Sequence, residues 1–393
     1  MKTAGIICEC NPLHAGHVYL MDAARRGGAD VIVCVMSGCF VQRGEAAIAD
    51  PYARAEILVR AGADAVVELP FPFSASGAEF FGAAGVNILS RLGADELWFG
   101  SECGDLDLLF RMATVADDPA FLARYTETAQ GSGGTASSYF DCLKAFCGED
   151  ACSPNDILAL SYLRALRKSG SRMQPITVKR MGSGYGETKL QDGVLPSATA
   201  LRRVWREAGL EAIVPFLPDV CANVLRREAS QRRAPADLRY AERLILGTLR
   251  AVPSDVLETY EGLGGGLAGR LKRAAGEARS LDGMLSLAAT KKYPDARLHR
   301  GILAALVGVT AADVRANASY VRLLAANKNG CAYLAQMRRA PEIALVTRQG
   351  DLPEGDAAER QLAIELREKS LYSLCLPDAG LARELFCRAP VIV

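Results

Sequence analysis

Histidine is scarce in this 393-residue chain, which has only His14, His17 and His299. So few imidazoles argue against a His-rich metal centre, and no protein-held metal is expected. Charge of one sign is also missing. Lys plus Arg total 46 and Asp plus Glu total 45, a formal net charge of +1. That excludes a globally basic nucleic-acid coat and an acidic solvating tail, though not a local basic face. No apolar run approaches the roughly 20 residues of a membrane span, and Gly301–Ala312 falls well short. Met1–Glu9 offers too short an apolar run for a signal peptide. The expectation is a cytoplasmic protein without a membrane or an implied protein partner. C-x-x-C pairs are absent, although the chain holds 12 cysteines. Cys8, Cys34, Cys221 and Cys375 sit in apolar runs and read as buried, reduced thiols.

What is there is core. Half of the residues are hydrophobic and 23% are charged, enough for two or three domains by length. Ala4–Cys8, Val31–Met36, Ala65–Leu69 and Glu96–Gly100 read as buried strands. Helices over His17–Arg26, Tyr52–Ala61 and Ala75–Leu92 separate them, a rhythm that means right-handed crossovers and a parallel sheet. Gln130–Ser138, rich in Gly, Ser and Thr, reads as a loop. Pro154–Asn155 opens a helix to about Lys168, Pro175–Lys179 is a fifth strand, and Ser197–Gly209 is a helix stopped by its glycine. Strand signals then fade. Helical stretches follow at Ala236–Thr248, Gly269–Ala278, Leu281–Ala289, His299–Leu306, Ala311–Leu324, Gly330–Met337 and Glu359–Leu374. The expected architecture is α/β: a Rossmann-like parallel-sheet domain over 1–212, then a mostly α-helical domain over 213–393.

Two glycine patterns fail their context test. Gly264–Gly269 matches G-x-G-x-x-G without a strand before it, and Gly131–Ala136 sits in a polar segment. No Walker A sequence exists, since Gly186-Glu187-Thr188-Lys189 has the wrong order.

The informative stretch is Ile6–His17, which runs from a strand through Asn11-Pro12 into a helix start carrying His14-Ala15-Gly16-His17. Ligands bind at the carboxyl edge of a parallel sheet, and the next helix turns unpaired N–H groups and a positive dipole end toward phosphate. Gly16 removes a side chain there, so a base or phosphate can approach the backbone. Histidines can donate hydrogen bonds to phosphate oxygens as charge develops. Gly100 ends the fourth strand at the same edge, followed by Ser101 and Glu102, which could bond ribose hydroxyls. Arg180 ends the fifth strand, where its planar guanidinium could grip phosphate. Ser197-Ala198-Thr199-Ala200-Leu201-Arg202 offers two hydroxyls and a charge at a helix start. Ser37–Glu45 forms a polar loop whose Gln42 and Arg43 are placed to orient a small carboxylate, while Asp50 and Arg54 read as structural partners. Cys10 lies near His14 in sequence but is not read as a nucleophile.

His14–His17 resembles the HxGH signature of the nucleotidylyltransferase superfamily. Together with VMSGCFVQRGEAAIAD, VVELPFPFSASGAEFF, FGSECGD, SPNDILALSYLRAL, TVKRMGSGY and LPSATALR, it resembles the bacterial tRNA(Met) cytidine acetate ligase family through most of the chain. Cys10 and Leu13 stand where that family usually has aromatics, and Gly186 where it usually has His.

The resemblance implies ATP-dependent activation of acetate as acetyl-adenylate, with release of pyrophosphate. Acetyl then passes to N4 of the wobble cytidine of elongator tRNA(Met), giving N4-acetylcytidine. It implies an ATP site of Ile7, Cys8, Glu9, Cys10, Asn11, Pro12, Leu13, His14, Ala15, Gly16, His17, Val18, Tyr19 and Leu20, joined by Gly100, Asn155, Arg180 and Arg202. His14, His17, Arg180, Ser197 and Thr199 would carry the chemistry, with Mg²⁺ on the phosphates and Gln42 and Arg43 at the acetate and cytidine pocket. Basic residues after position 200, with Arg226, Arg227, Lys291 and Lys292 as candidates, would track tRNA phosphates. Tyr293 and His299 fit the core better than a stacked base. The residues also leave open a small-molecule adenylyl- or cytidylyltransferase, or a non-catalytic RNA-binding protein.

Overall fold

A computed structural model describes residues 1–132, 136–147, 156–180, 196–338, 341–379 and 382–393. Its centre is an eight-stranded sheet in the order β5-β4-β1-β2-β3-β6-β7, with β8 beside β6. The strands are β1 Thr3–Cys8, β2 Val31–Ser37, β3 Ala65–Leu69, β4 Glu96–Ser101, β5 Gln174–Lys179, β6 Tyr320–Ala326, β7 Ala344–Val346 and β8 Val391–Ile392. β1 to β5 are parallel, as the alternation of strands and helices predicts.

The alternating side chains of the strands explain why their sequences are apolar throughout. Ile7, Val31, Val33, Val35, Leu97 and Phe99 enter one core, beneath α3 (Ala78–Arg91), α4 (Leu106–Val115) and α7 (Ile157–Ser169). Ala4, Ile6, Cys8, Ile32, Cys34, Met36 and Trp98 enter the other, beneath α1 (Ala15–Arg26), α2 (Pro51–Arg60), α8 (Ala198–Ala208) and α9 (Asp219–Ser230). A third core joins α10 (Glu242–Ala251), α12 (Leu267–Glu277), α13 (Leu281–Ala288), α14 (Asp295–Val307) and α17 (Asp356–Ser373) to Cys39, Phe40 and Ala46 of the loop after β2.

Two expectations are corrected. The Gln130–Ser138 segment is helical at both ends, because α5 (Pro119–Ser132) packs on α6 (Ala136–Cys147), and α6 on α4. Ala311–Leu324 is not one helix. It breaks after α15 (Ala311–Arg315), and β6 follows, antiparallel to β3. β6 is buried along its whole length; an apolar run of that length reads as strand or helix until its neighbours are known. A cut at residue 212 therefore separates strands of one sheet. Among the described residues no helix is long and apolar enough to cross a membrane. Cys8, Cys34, Cys221 and Cys375 are buried and free.

Candidate nucleotide site

The β1–α1 turn is built by its two histidines. His14 is the N-cap of α1, and its Nδ1 accepts from the Gly16 amide at 3.1 Å. His17 Nδ1 accepts from the His14 amide at 3.3 Å, and the ring centroids lie 4.0 Å apart. Each imidazole thus uses Nδ1 as an acceptor, which assigns the remaining proton to Nε2. A side chain on Gly16 would stand 3.0 Å from His14 Cε1, so it is the His14 ring that fills the space expected for a ligand. Burial, and then the Arg180 charge, lower the His14 pKa to about 4. His17 moves the same way, through burial, His14 and Arg180. Both rings are neutral at physiological pH.

The rest of the Ile7–Leu20 stretch divides by depth. Ile7, Cys8, Cys10, Asn11, Pro12 and Leu13 are buried, Glu9, Ala15, Val18 and Leu20 are half-buried, and Tyr19 is exposed. Cys10 adopts φ 46°, which turns the chain sharply before Asn11. Burial raises its thiol well above the ordinary range, so it is not poised as a nucleophile.

Arg54 ties the chain on either side of the histidine turn. It is 1% exposed, and its guanidinium donates to the carbonyls of Ala49 (3.0 Å), Glu9 (2.6 Å) and Ser37 (2.9 Å), and also to that of Gly38. One cation thereby ties the ends of β1 and β2. Asp50 instead caps α2 through Ala53 N at 3.0 Å and pairs with Arg388 at 2.8 Å.

Arg202 ties a third element to the same turn. Its Nη1 donates to the Asn11 carbonyl at 2.8 Å, and its Nη2 to Glu45 at 2.7 Å. It is 5% exposed, so its charge serves the turn and Glu45 rather than an open phosphate groove. Burial pushes the Glu45 carboxyl up, but Arg202, together with His299 and Arg206, more than offsets this and leaves it below the usual range. Ser197 caps α8 through Ala200 N at 3.2 Å, and Thr199 Oγ1 lies 3.4 Å from Arg202 Nη2. Both residues are half-buried at the start of the helix that Arg202 ties to the Asn11 carbonyl.

At the β4–β5 edge, the stem of exposed Arg180 crosses Gly100; a Cβ there would lie 3.1 Å from Arg180 Cγ. Ser101 is not available to ribose, because its hydroxyl bonds Thr177 Oγ1 at 2.8 Å and accepts from Gly104 N at 3.0 Å. Asn155 lies outside the described residues. Its neighbour Asp156, 1% exposed, accepts from Glu102 N at 2.8 Å and joins β4 to α7. Gln42 and Arg43 lie in a loop gripped from both sides. Gln42 N donates to Glu9 at 2.8 Å, and its carbonyl accepts from Arg300 at 3.2 Å.

The HIGH nucleotidyl transferase family model matches residues 1–384. The tRNA(Met) cytidine acetate ligase of Syntrophotalea carbinolica is 34% identical over 417 residues, covering 100% of this chain and 99% of the relative. The chain belongs to the tRNA(Met) cytidine acetate ligase family. Another ligase of that name, from Listeria monocytogenes, is 33% identical and covers 95% of each chain. The crystal structure of apo Thermotoga maritima TmcAL superposes with a TM-score of 0.92 at 27% identity, covering 100% of both chains. The same protein with bound alpha-thio ATP gives a TM-score of 0.90.

In this member of the ligase family, the ends of β1, β4 and β5, which carry the histidine turn, Gly100 and Arg180, lie at the carboxyl edge of one parallel sheet, and two of the expected tRNA contacts are engaged with carboxylates. Arg226 makes a double contact with Glu211 at 2.8 and 2.6 Å, and Arg227 pairs with Glu56 at 2.8 Å and Glu228 at 2.9 Å. Lys291 and Lys292 are exposed. Tyr293 is in the core, its hydroxyl bonded to the Gly265 carbonyl at 2.7 Å. Sequence reasoning missed Asp156, the Arg54 clamp and the Glu45 partner of Arg202. All three join distant segments, so no local spacing announces them.

Proposed function

We propose that the chain adenylates acetate with ATP and transfers the acetyl group to N4 of the wobble cytidine of elongator tRNA(Met), acting in the cytoplasm. The observation that carries this reading is the pair of neutral, Nδ1-accepting histidines at the N-terminus of α1, at the carboxyl edge of a parallel sheet. Their Nε2–H groups are donors fixed before any charge develops, which is what stabilises a transition state without reorganisation.

In the first step an acetate oxygen attacks the α-phosphorus. The bond to the bridging oxygen breaks, and pyrophosphate leaves with the negative charge. His14 and His17 donate to the phosphate oxygens, and Arg180 adds a fixed charge from the β5 side. Ser197 and Thr199, at the start of α8, face the outer phosphates. Mg²⁺ bound with the triphosphate would neutralise its oxygens; among the described residues no group of three His, Cys, Asp or Glu could hold a metal by itself. In the second step the cytidine amine attacks the acetyl carbonyl, AMP leaves, and the amine loses a proton. Gln42 and Arg43 orient the carboxylate. The helices after residue 212, with Lys291 and Lys292, carry the tRNA.

Incubation with ATP, labelled acetate and total bacterial tRNA, followed by digestion to nucleosides, tests this. Label in N4-acetylcytidine is expected. AMP formed from acetate without labelled RNA would refute the acceptor, and no turnover of ATP would refute the activity.

A further inference from the structure

Behind the loop after β2 lies a group of buried charges that the reaction does not use. Glu68 on β3 is 3% exposed, Arg322 on β6 is 6%, and Glu365, Glu368 and Lys369 on α17 are 5%, 0% and 0%. Glu365 is fully engaged, since Arg322, Lys369 and the Tyr320 hydroxyl all donate to it. Lys369 also reaches Glu68 Oε2 at 3.5 Å. Two cations therefore face three carboxyl groups.

The remaining oxygens are the informative ones. Glu368 Oε1 accepts from the Cys39 amide at 3.1 Å, but Glu368 Oε2 and Glu68 Oε1 are buried without a partner. Both carboxyl groups flank the same residue, Gly38. A Cβ there would overlap Glu68 Oε1 and stand 3.3 Å from Glu368 Oε1. Two ionised carboxylates so placed, each with an orphan oxygen, would be strongly unfavourable in a dry interior. One proton on the pair removes one of the two buried charges, turns an orphan oxygen into a hydroxyl, and matches three acids to two cations.

We propose that Glu68 and Glu368 share one proton across Gly38, and that Glu368, as an uncharged acid, is a positioning residue for the loop that shapes the acetate side of the site. Glu368 holds Cys39; Arg54 holds the Ser37 and Gly38 carbonyls and also that of Glu9, next to the histidine turn. A slack Gly38 turn would be felt at Gln42 and Arg43 within the same loop. The surroundings favour the proton. Burial first, and then the Glu68 charge, raise the Glu368 carboxyl well above its ordinary range, against the pull of Lys369. Glu68 is raised by burial, against Lys369 and Arg322. The other titratable and charged groups facing the pair are Glu365, Cys39, Arg54 and Tyr52.

The inference rests on the proposed reaction only for its kinetic readout. Three variants of the full chain test it. Glu368→Ala leaves Cys39 N without its acceptor, and a loop displaced by an ångström lowers acetate-dependent AMP formation by roughly 100-fold. Glu368→Gln keeps the acceptor for Cys39 and replaces the shared proton with an amide N–H, so it restores near wild-type rates. An infrared difference spectrum between wild type and Glu368→Gln shows a carboxylic-acid C=O band in wild type that the variant lacks. Because the native acid holds its proton while the unfolded chain has lost it, wild type loses stability relative to Glu368→Gln as pH rises above the ordinary glutamate range. Glu68→Gln, which replaces the same proton from the other side, is the second neutral variant. A glutamine variant as impaired as alanine, no acid band in wild type, or neither glutamine variant folding would each overturn the proposal. Wild type that formed no AMP from acetate would overturn the activity instead, with the infrared band unaffected.

Discussion

The Arg202 guanidinium lies 2.8 Å from the Asn11 carbonyl, so the helix bearing Ser197 and Thr199 is bonded to the turn bearing His14 and His17. The same guanidinium pairs with Glu45, which makes it a tie between three segments far apart in sequence. Arg202→Ala strands the Glu45 carboxylate and the Asn11 carbonyl, and is expected to cost about 3 kcal/mol of stability, read by urea unfolding. An unfolding curve like wild type with only ATP affinity reduced would make Arg202 a phosphate ligand instead.

The histidines have two separable jobs. His14→Ala loses both the cap and the Nε2 donor, with a cap cost of about 1 kcal/mol and a loss of roughly 100-fold in AMP formation. His14→Asn keeps a capping acceptor, so stability should return while the rate stays low. His17→Ala should abolish adenylate formation and spare tRNA retention on filters; equal loss of both would mean that the two binding surfaces are not separate.

The pH dependence has a definite sign. The folded His14 pKa is about 4 against an ordinary value of 6.5, because of burial and then Arg180. Unfolding therefore takes up a proton between these values, and stability falls as pH drops from 6.5 toward 4. Above that window neither state is protonated and the contribution is flat. An NMR titration should find both rings neutral, with the proton on Nε2, from pH 6 to 8. A His14 midpoint near 6.5 would contradict the buried, Nδ1-accepting arrangement.

Gly100→Ala tests the β4–β5 edge. The new methyl meets Arg180 Cγ at 3.1 Å, so the stem must shift while the core beneath is untouched. The expected result is a KM for ATP raised several-fold with an unchanged thermal midpoint. A fall in stability with normal KM would make Gly100 merely a strand end.

For tRNA, the engaged and the exposed cations should behave differently. Lys291→Gln with Lys292→Gln should weaken retention and reduce the salt slope by about 1 per lysine. Arg226→Ala should do neither, because that guanidinium already faces Glu211. The reverse pattern would move the RNA path toward α9.

The parallel half of the sheet follows from the order of the amino acids alone. Apolar strands buried on both faces, alternating with amphipathic helices, leave little choice of architecture, and a strand followed by His-x-Gly-His already singles out the turn proposed here to take the nucleotide. Features that depend on distant partners emerge only when the chain folds. The β6 segment pairs with β3 instead of forming a helix, since a short apolar run takes its state from the neighbour it can bury against. Arg202 and Arg54 became ties rather than open charges because burial obliges a guanidinium to find oxygens, and those oxygens come from Asn11, Glu45, Glu9 and Ser37. The loop carrying Gln42 and Arg43 is held by Glu368, Arg300 and Tyr372 from the far end of the chain, contacts that no local pattern encodes.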